Sequence, residues 1–174
     1  MFGIDFSVIL GNFCSLVAMG TDTLASSRKS GKAMLLMQCL SQLALGIGAV
    51  ILKGYSAAVQ NAVSMLRNLR AASNKGGKWL EWVFLALAIG LGIYFNNLGF
   101  IGLLPVIANV GYSLTIYFFP DDEKKLKLAY LVTNLLFATF NGVILNFIGT
   151  GSNIFVAVAT GIFLIQDRKK AKSA

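Results

Sequence analysis

Seven carboxamides stand in stretches of this chain that are otherwise apolar: Asn12, Gln42, Gln60, Asn61, Asn109, Asn134 and Asn153. Each carries two N–H donors and an acceptor oxygen, so a convergent set can replace water around a small polar solute. An unbonded amide in hydrocarbon is costly, which forces each of them toward another helix or a wet cavity. Hydroxyls accompany them, Ser15, Ser41, Ser64, Ser113, Thr133 and Thr160 among others. Gln60, Ser64 and Arg67 follow i, i+4, i+7, and Asn61, Ser64 and Asn68 form the neighbouring stripe, which makes one broad polar helix face. The chemistry on offer is hydrogen-bond recognition. Arg67 and Asp22, both toward helix ends, form a candidate gating pair, and Pro105 introduces a kink where a helix can flex.

Bond-making chemistry has little to draw on. The seven acids, Asp5, Asp22, Glu81, Asp121, Asp122, Glu123 and Asp167, fall at helix ends or in loops, and no paired carboxylate lies at mid-membrane depth. There is no histidine, and Cys14 and Cys39 lack metal-ligand spacing and read as small apolar packing residues. No enzyme activity, cofactor or metal is expected.

The elements that must position the amides are membrane helices. Of 174 residues, 56% are hydrophobic and 13% charged, and the mean hydropathy is +0.73; soluble domains carry about 25% charged residues. Apolar runs near the length that crosses a bilayer fall at 4–23, 33–52, 55–71, 79–96, 98–119, 126–146 and 150–166. The third and seventh are short and polar, so five or six crossings compete with seven. Charge decides between them. With seven crossings, 14 of the 15 cations fall on one face and Lys53 alone on the other, which orients the N-terminus outside and the C-terminus in the cytoplasm. The same topology explains the net charge of +8 without nucleic acid, and leaves a residual attraction to anionic lipid headgroups. No basic region precedes the first apolar run, so it reads as helix 1 and not as a signal peptide.

Polar residues divide the chain into residues 1–72, a linker helix in 73–97 and residues 98–174. Helix 4 has no amide, serine or threonine from Val83 to Phe95 and is expected at the periphery, packing through Ala86, Gly90 and neighbouring small residues, Gly92 among them. Odd numbers of crossings on either side of one linker crossing produce parallel repeats. GAVILKGYSAAVQNA lies beside NGVILNFIGTGSNIF with VIL shared. The expected fold is all-α: seven transmembrane helices as two parallel triple-helix bundles joined by a linker helix, with Asn12 and Asn109 in related places.

IGLLPVIANVGYSLTIYF around Pro105, together with AAVQNAVSMLRNL through Arg67 and Asn68, resembles the bacterial inner-membrane YgjV-type family over nearly the full length. That family is similar in fold to the SWEET and semiSWEET sugar transporters and the PnuC vitamin transporters. The resemblance implies a small-solute carrier in the bacterial inner membrane; by their own positions in the sequence, Tyr112 and Tyr55 are candidates to flank a path. One departure is that SWEET carriers have a proline in each of four core helices, whereas Pro105 is the single intramembrane proline here. Without a buried proton relay, the expected activity is a facilitator for a small uncharged or zwitterionic polar solute. The competing reading is a non-transporting membrane scaffold or partner subunit in which the amides only lock helices together.

Overall fold

The computed structural model describes residues 5–26, 31–73, 79–119 and 122–173. Among them are α1 (Phe6–Ser26), α2 (Gly31–Ile51), α3 (Tyr55–Ser73), α4 (Trp79–Tyr94), α5 (Gly99–Phe118), α6 (Glu123–Val143) and α7 (Phe147–Ser173), with no strand. Each expected apolar run becomes one helix.

Five boundaries differ by three residues or more: the end of α1 at Ser26, both ends of α6, and both ends of α7, whose last residue, Ser173, lies seven beyond the expected 166. α6 begins at Glu123, three residues earlier than expected, because the Asp122 side chain accepts the Lys125 N–H at 3.0 Å and caps the helix. It also ends earlier, at Val143, because Leu145 takes a left-handed φ of 60° despite its apolar side chain. Leu145 N–H then bonds to Gly142 O at 3.3 Å and Asn146 N–H to Asn141 O at 2.9 Å, the double closure of a Schellman motif. α7 starts directly afterwards. The α2–α3 junction repeats this geometry: Lys53 has φ 59°, its N–H bonds to Val50 O at 3.0 Å, and Gly54 N–H bonds to Ala49 O at 2.7 Å. Lys53 therefore corresponds to Leu145 and Gly54 to Asn146. This register is one residue away from the alignment that the shared letters VIL suggest, and it pairs Asn61 with Asn153.

Helix contacts close a ring. Among the described residues α1 packs on α2, α2 on α3, α3 on α5, α5 on α6, α6 on α7, and α7 returns to α1. α4 stands outside the ring, against α3 and α5. Its buried residues are Ala88 and Gly92, while Ala86 and Gly90 are exposed. Of the small residues expected to pack, Gly92 is buried, whereas Ala86 and Gly90 are not. The reason is local: a Cβ on Gly92 would approach Gln60 Nε2 to 2.5 Å, whereas Gly90 faces open space. Small residues also bring α1 and α2 together, where a Cβ on Gly48 would meet Gly11 O at 3.1 Å.

The packing is inverted relative to a water-soluble protein. Large apolar side chains such as Phe13, Leu43, Leu91, Phe100, Leu135 and Phe155 are exposed, while Ser15, Ser41, Ser56, Gln60, Asn134, Asn146 and Thr160 are buried. A lipid-facing exterior accounts for that distribution. By length and apolarity together, two segments of the described residues suffice to cross a membrane, Phe6–Leu24 and Lys124–Val143. Shorter apolar stretches occupy Leu35–Ile51, Trp79–Tyr94, Gly99–Thr115 and Phe147–Ile162. α3 has none of this length, since its polar face interrupts it.

Candidate functional site

The helix ring encloses a cavity of about 260 Å³. Every ring helix contributes to its wall and α4 contributes nothing. Of the residues marked out by the sequence, Asp22, Gln42, Gln60, Asn61, Asn109 and Asn153 line it, and so does Tyr112. Asn12, Asn134, Arg67, Pro105 and Tyr55 do not. Asn141, Asn146, Ser15 and Ser152 line it without having been singled out as ligand groups. Asn146 follows an apolar run and belongs to a turn, so its sequence context hid it; the Schellman register is the signal that places it opposite Gly54.

The amides have divided their work. Gln60, 1% exposed, donates through Nε2 to Ala88 O on α4 at 2.8 Å and accepts at Oε1 from Asn109 Nδ2 on α5 at 2.8 Å. Its polar atoms bind three helices to one another at the cavity wall. Asn12 donates through Nδ2 to Val8 O and Leu145 O, both at 2.8 Å, and its Oδ1 accepts from Ile148 N–H at 2.9 Å. It staples α1 to the α6–α7 turn. Asn97 donates to Lys53 O at 2.7 Å, so each left-handed turn residue has its carbonyl held by an asparagine from outside its own helix pair. Asn12 and Asn109 consequently do different work. Asn134 is buried and donates to Tyr130 O of its own helix at 2.8 Å.

Arg67 does not reach Asp22. Its Nη1 donates to Ser113 Oγ on α5 at 3.2 Å, and it lines a separate cavity of about 120 Å³ with Glu81 and Trp82. Glu81 is in turn ion-paired with Arg70. No ion pair joins Arg67 to Asp22 among the described residues, which corrects the expected gating pair. Pro105 is fully buried in α5 beside Leu104 and Val106.

The two ends of the central cavity differ. Asp22 and Met19 are exposed at one end, whereas Asn146, Gly149, Ala49 and Ala57 are buried at the other. The buried end adjoins an apolar cluster of Ala49, Ala57, Leu104, Phe140 and Ile144. Phe140, 0% exposed, lies so close to Gly54 that a Cβ there would stand 2.9 Å from its Cζ. Asn146 completes this end by accepting Gly149 N–H at 3.0 Å and donating to Asn141 Oδ1 at 3.3 Å. Within the wall the Ser15 hydroxyl is buried without a hydrogen-bond partner. Ser41, also buried and unbonded, faces Asp22 beyond hydrogen-bond geometry.

An apolar exterior around buried polar side chains defines a helical membrane protein, here with a central cavity whose wall mixes amides and hydroxyls with apolar side chains. Over residues 9–171 the chain matches the family Imp-YgjV, described as a bacterial inner membrane protein, and it belongs to that family. No curated protein and no solved structure matches the chain, the SWEET and PnuC carriers included.

Proposed function

We propose that the protein is a facilitator-type carrier that moves a small polar solute across the inner membrane by alternating access. In this reading the ring is two parallel triple-helix bundles, α1–α3 and α5–α7, and α4 is the linker crossing between them. The chain crosses seven times, N-terminus outside. The observation that carries the reading is the central cavity, lined with amides and hydroxyls from all six ring helices, exposed at the Asp22 end and buried at the other. A cavity this size far exceeds the roughly 10–15 Å³ that admits one water, so a solute of several heavy atoms fits.

The contact pattern supports two related halves. Exchanging α1–α3 with α5–α7 turns the α1–α7 seam into the α5–α3 seam, and both seams exist. The twin left-handed turns at Lys53 and Leu145 fit the same exchange. With the N-terminus outside, the Asp22 end is cytoplasmic, so this conformation is inward-facing. Phe140 on Gly54 and the Asn12 staple would then be the outer closure, which opens as the bundles rock, with Pro105 in α5 beside the moving seam.

The second reading, a non-transporting scaffold, is favoured by one observation: Gln60, Asn12 and Asn134 spend amide groups on protein partners. Flux into liposomes containing the purified protein separates the two. Saturable entry of a small polar solute above the rate in empty liposomes is the expected result; entry no faster than in empty liposomes across a broad metabolite mixture favours the scaffold.

A further inference from the structure

We infer that Asp22 is the recognition group for a cationic end of the solute, so that the cavity takes a small molecule bearing a protonated amine. This inference rests on the carrier reading for its transport consequences, and on the cavity alone for binding.

Asp22 is the one charged side chain in the wall of the central cavity among the described residues. No cation pairs with its carboxylate among those residues. Arg67, the partner the sequence suggested, is turned toward Ser113 and the separate cavity that contains Glu81, while Arg28 and Lys29 lie outside the described residues. What remains is an anion at the exposed end of an otherwise neutral pocket. A carboxylate beside low-dielectric helix walls attracts a cation more strongly than one in bulk water does. An anionic solute meets repulsion there, and none of the described residues lining the cavity is basic to offset it. A neutral solute leaves the charge uncompensated.

The rest of the wall suits the uncharged remainder of such a molecule. Ser15 and Asp22 stand seven residues apart, two turns along one face of α1, and both line the cavity. The Ser15 hydroxyl is 4% exposed as a residue and has no partner of its own. A buried hydroxyl without a partner is a group awaiting one. Asn61 and Asn153 line the same cavity, at corresponding positions of α3 and α7. An amine held at Asp22 therefore projects a short polar or second amine-bearing chain inward past Ser15 to these amides.

The test uses the full-length protein in liposomes with three labelled probes: putrescine, serine and ribitol. Direct binding of each to the detergent-purified protein is measured in parallel by calorimetry. Putrescine or serine should enter at least tenfold faster than ribitol. Asp22→Asn should lower that flux and the binding by tenfold or more, and Asp22→Glu should restore part of both. Ribitol entering as fast as the amines, or amine flux and binding unchanged in Asp22→Asn, overturns the inference and leaves the carrier standing. Amine binding that depends on Asp22 without flux supports the inference and removes the carrier reading. Neither binding nor flux of either amine overturns the inference.

Discussion

Asn109 on α5 donates to Gln60 on α3 at 2.8 Å, and Gln60 passes its own amide to the Ala88 carbonyl of α4 at the same distance. One side chain thus fastens a lipid-exposed helix to the seam between two ring helices. A double-mutant cycle over Gln60→Ala and Asn109→Ala should give a coupling of about 0.5–1.5 kcal/mol in unfolding from mixed micelles, the size of interhelical hydrogen bonds in membranes. A coupling near zero would show that the two amides are held by other groups.

Gly92 and Gly90 are two residues apart on α4 and should respond oppositely to a methyl group. A Cβ on Gly92 meets Gln60 Nε2 at 2.5 Å and Val106 Cγ2 at 2.7 Å, and Gln60 cannot retreat without losing its bonds. Gly92→Ala should cost about 1–3 kcal/mol, while Gly90→Ala, in open space, should stay within about 0.5 kcal/mol. Thermal unfolding in detergent reads both. Equal losses would place α4 differently on the ring.

Asn12 holds the α6–α7 turn through Leu145 O and Ile148 N–H. Asn12→Ala removes both bonds and should shift the protein toward a conformation open at that end. A cysteine at Ser152, in the cavity wall, should then react several-fold faster with a membrane-impermeant thiol reagent added outside. A labelling rate equal to that of the Ser152→Cys protein alone would remove Asn12 from the outer closure.

Asp122 accepts the Lys125 N–H at 3.0 Å and lies 3.1 Å from its ammonium. The backbone hydrogen bond, followed by the side-chain one, holds its carboxyl below the ordinary carboxylate pKa. A folded-state pKa below the unfolded one means that the cap stabilises α6 above the unfolded value and is lost as pH falls through the folded value. Hydrogen exchange in the first turn of α6, corrected for intrinsic rates, should accelerate as pH drops through that range. Asp122→Asn keeps a capping oxygen and should flatten the profile; Asp122→Ala should exchange fast throughout. A wild-type profile already flat would mean the cap does not depend on charge.

In the proposed seven-crossing topology the α6–α7 turn lies outside and the end of α3 inside. Phe147→Cys and Ser73→Cys are both at exposed positions. In intact cells an impermeant maleimide should label the first, and the second only after permeabilisation. Labelling of Phe147→Cys only from the cytoplasmic side would invert the topology and with it the inward-facing assignment.

The helices were legible in the sequence because lipid is an undemanding reader: it asks for a run of apolar side chains of bilayer length and for cations on one side. Those demands are local, and they located six of the seven helices to within a turn at both ends; α7 runs on to Ser173, seven residues past the apolar run. Leu145 shows the limit. An apolar leucine in a left-handed turn looks like helix until the backbone closes around it through Gly142 and Asn141.

The amides themselves were equally visible, since a polar group in an apolar run must have a partner somewhere. Which partner was not visible. Asn12 finds Leu145 O, 133 residues away, and becomes a staple, while Asn141 and Asn146 find the cavity. The same carboxamide serves as a clamp or a wall depending on which helix stands opposite it. Only the closed ring set that choice, by seating α7 against α1 and α5 against α3. Asp22 was decided the same way. From its place near a helix end it was expected to pair with Arg67, but the inward rotation of α1 that buries Ser15 also brings Asp22, two turns on, into the cavity wall.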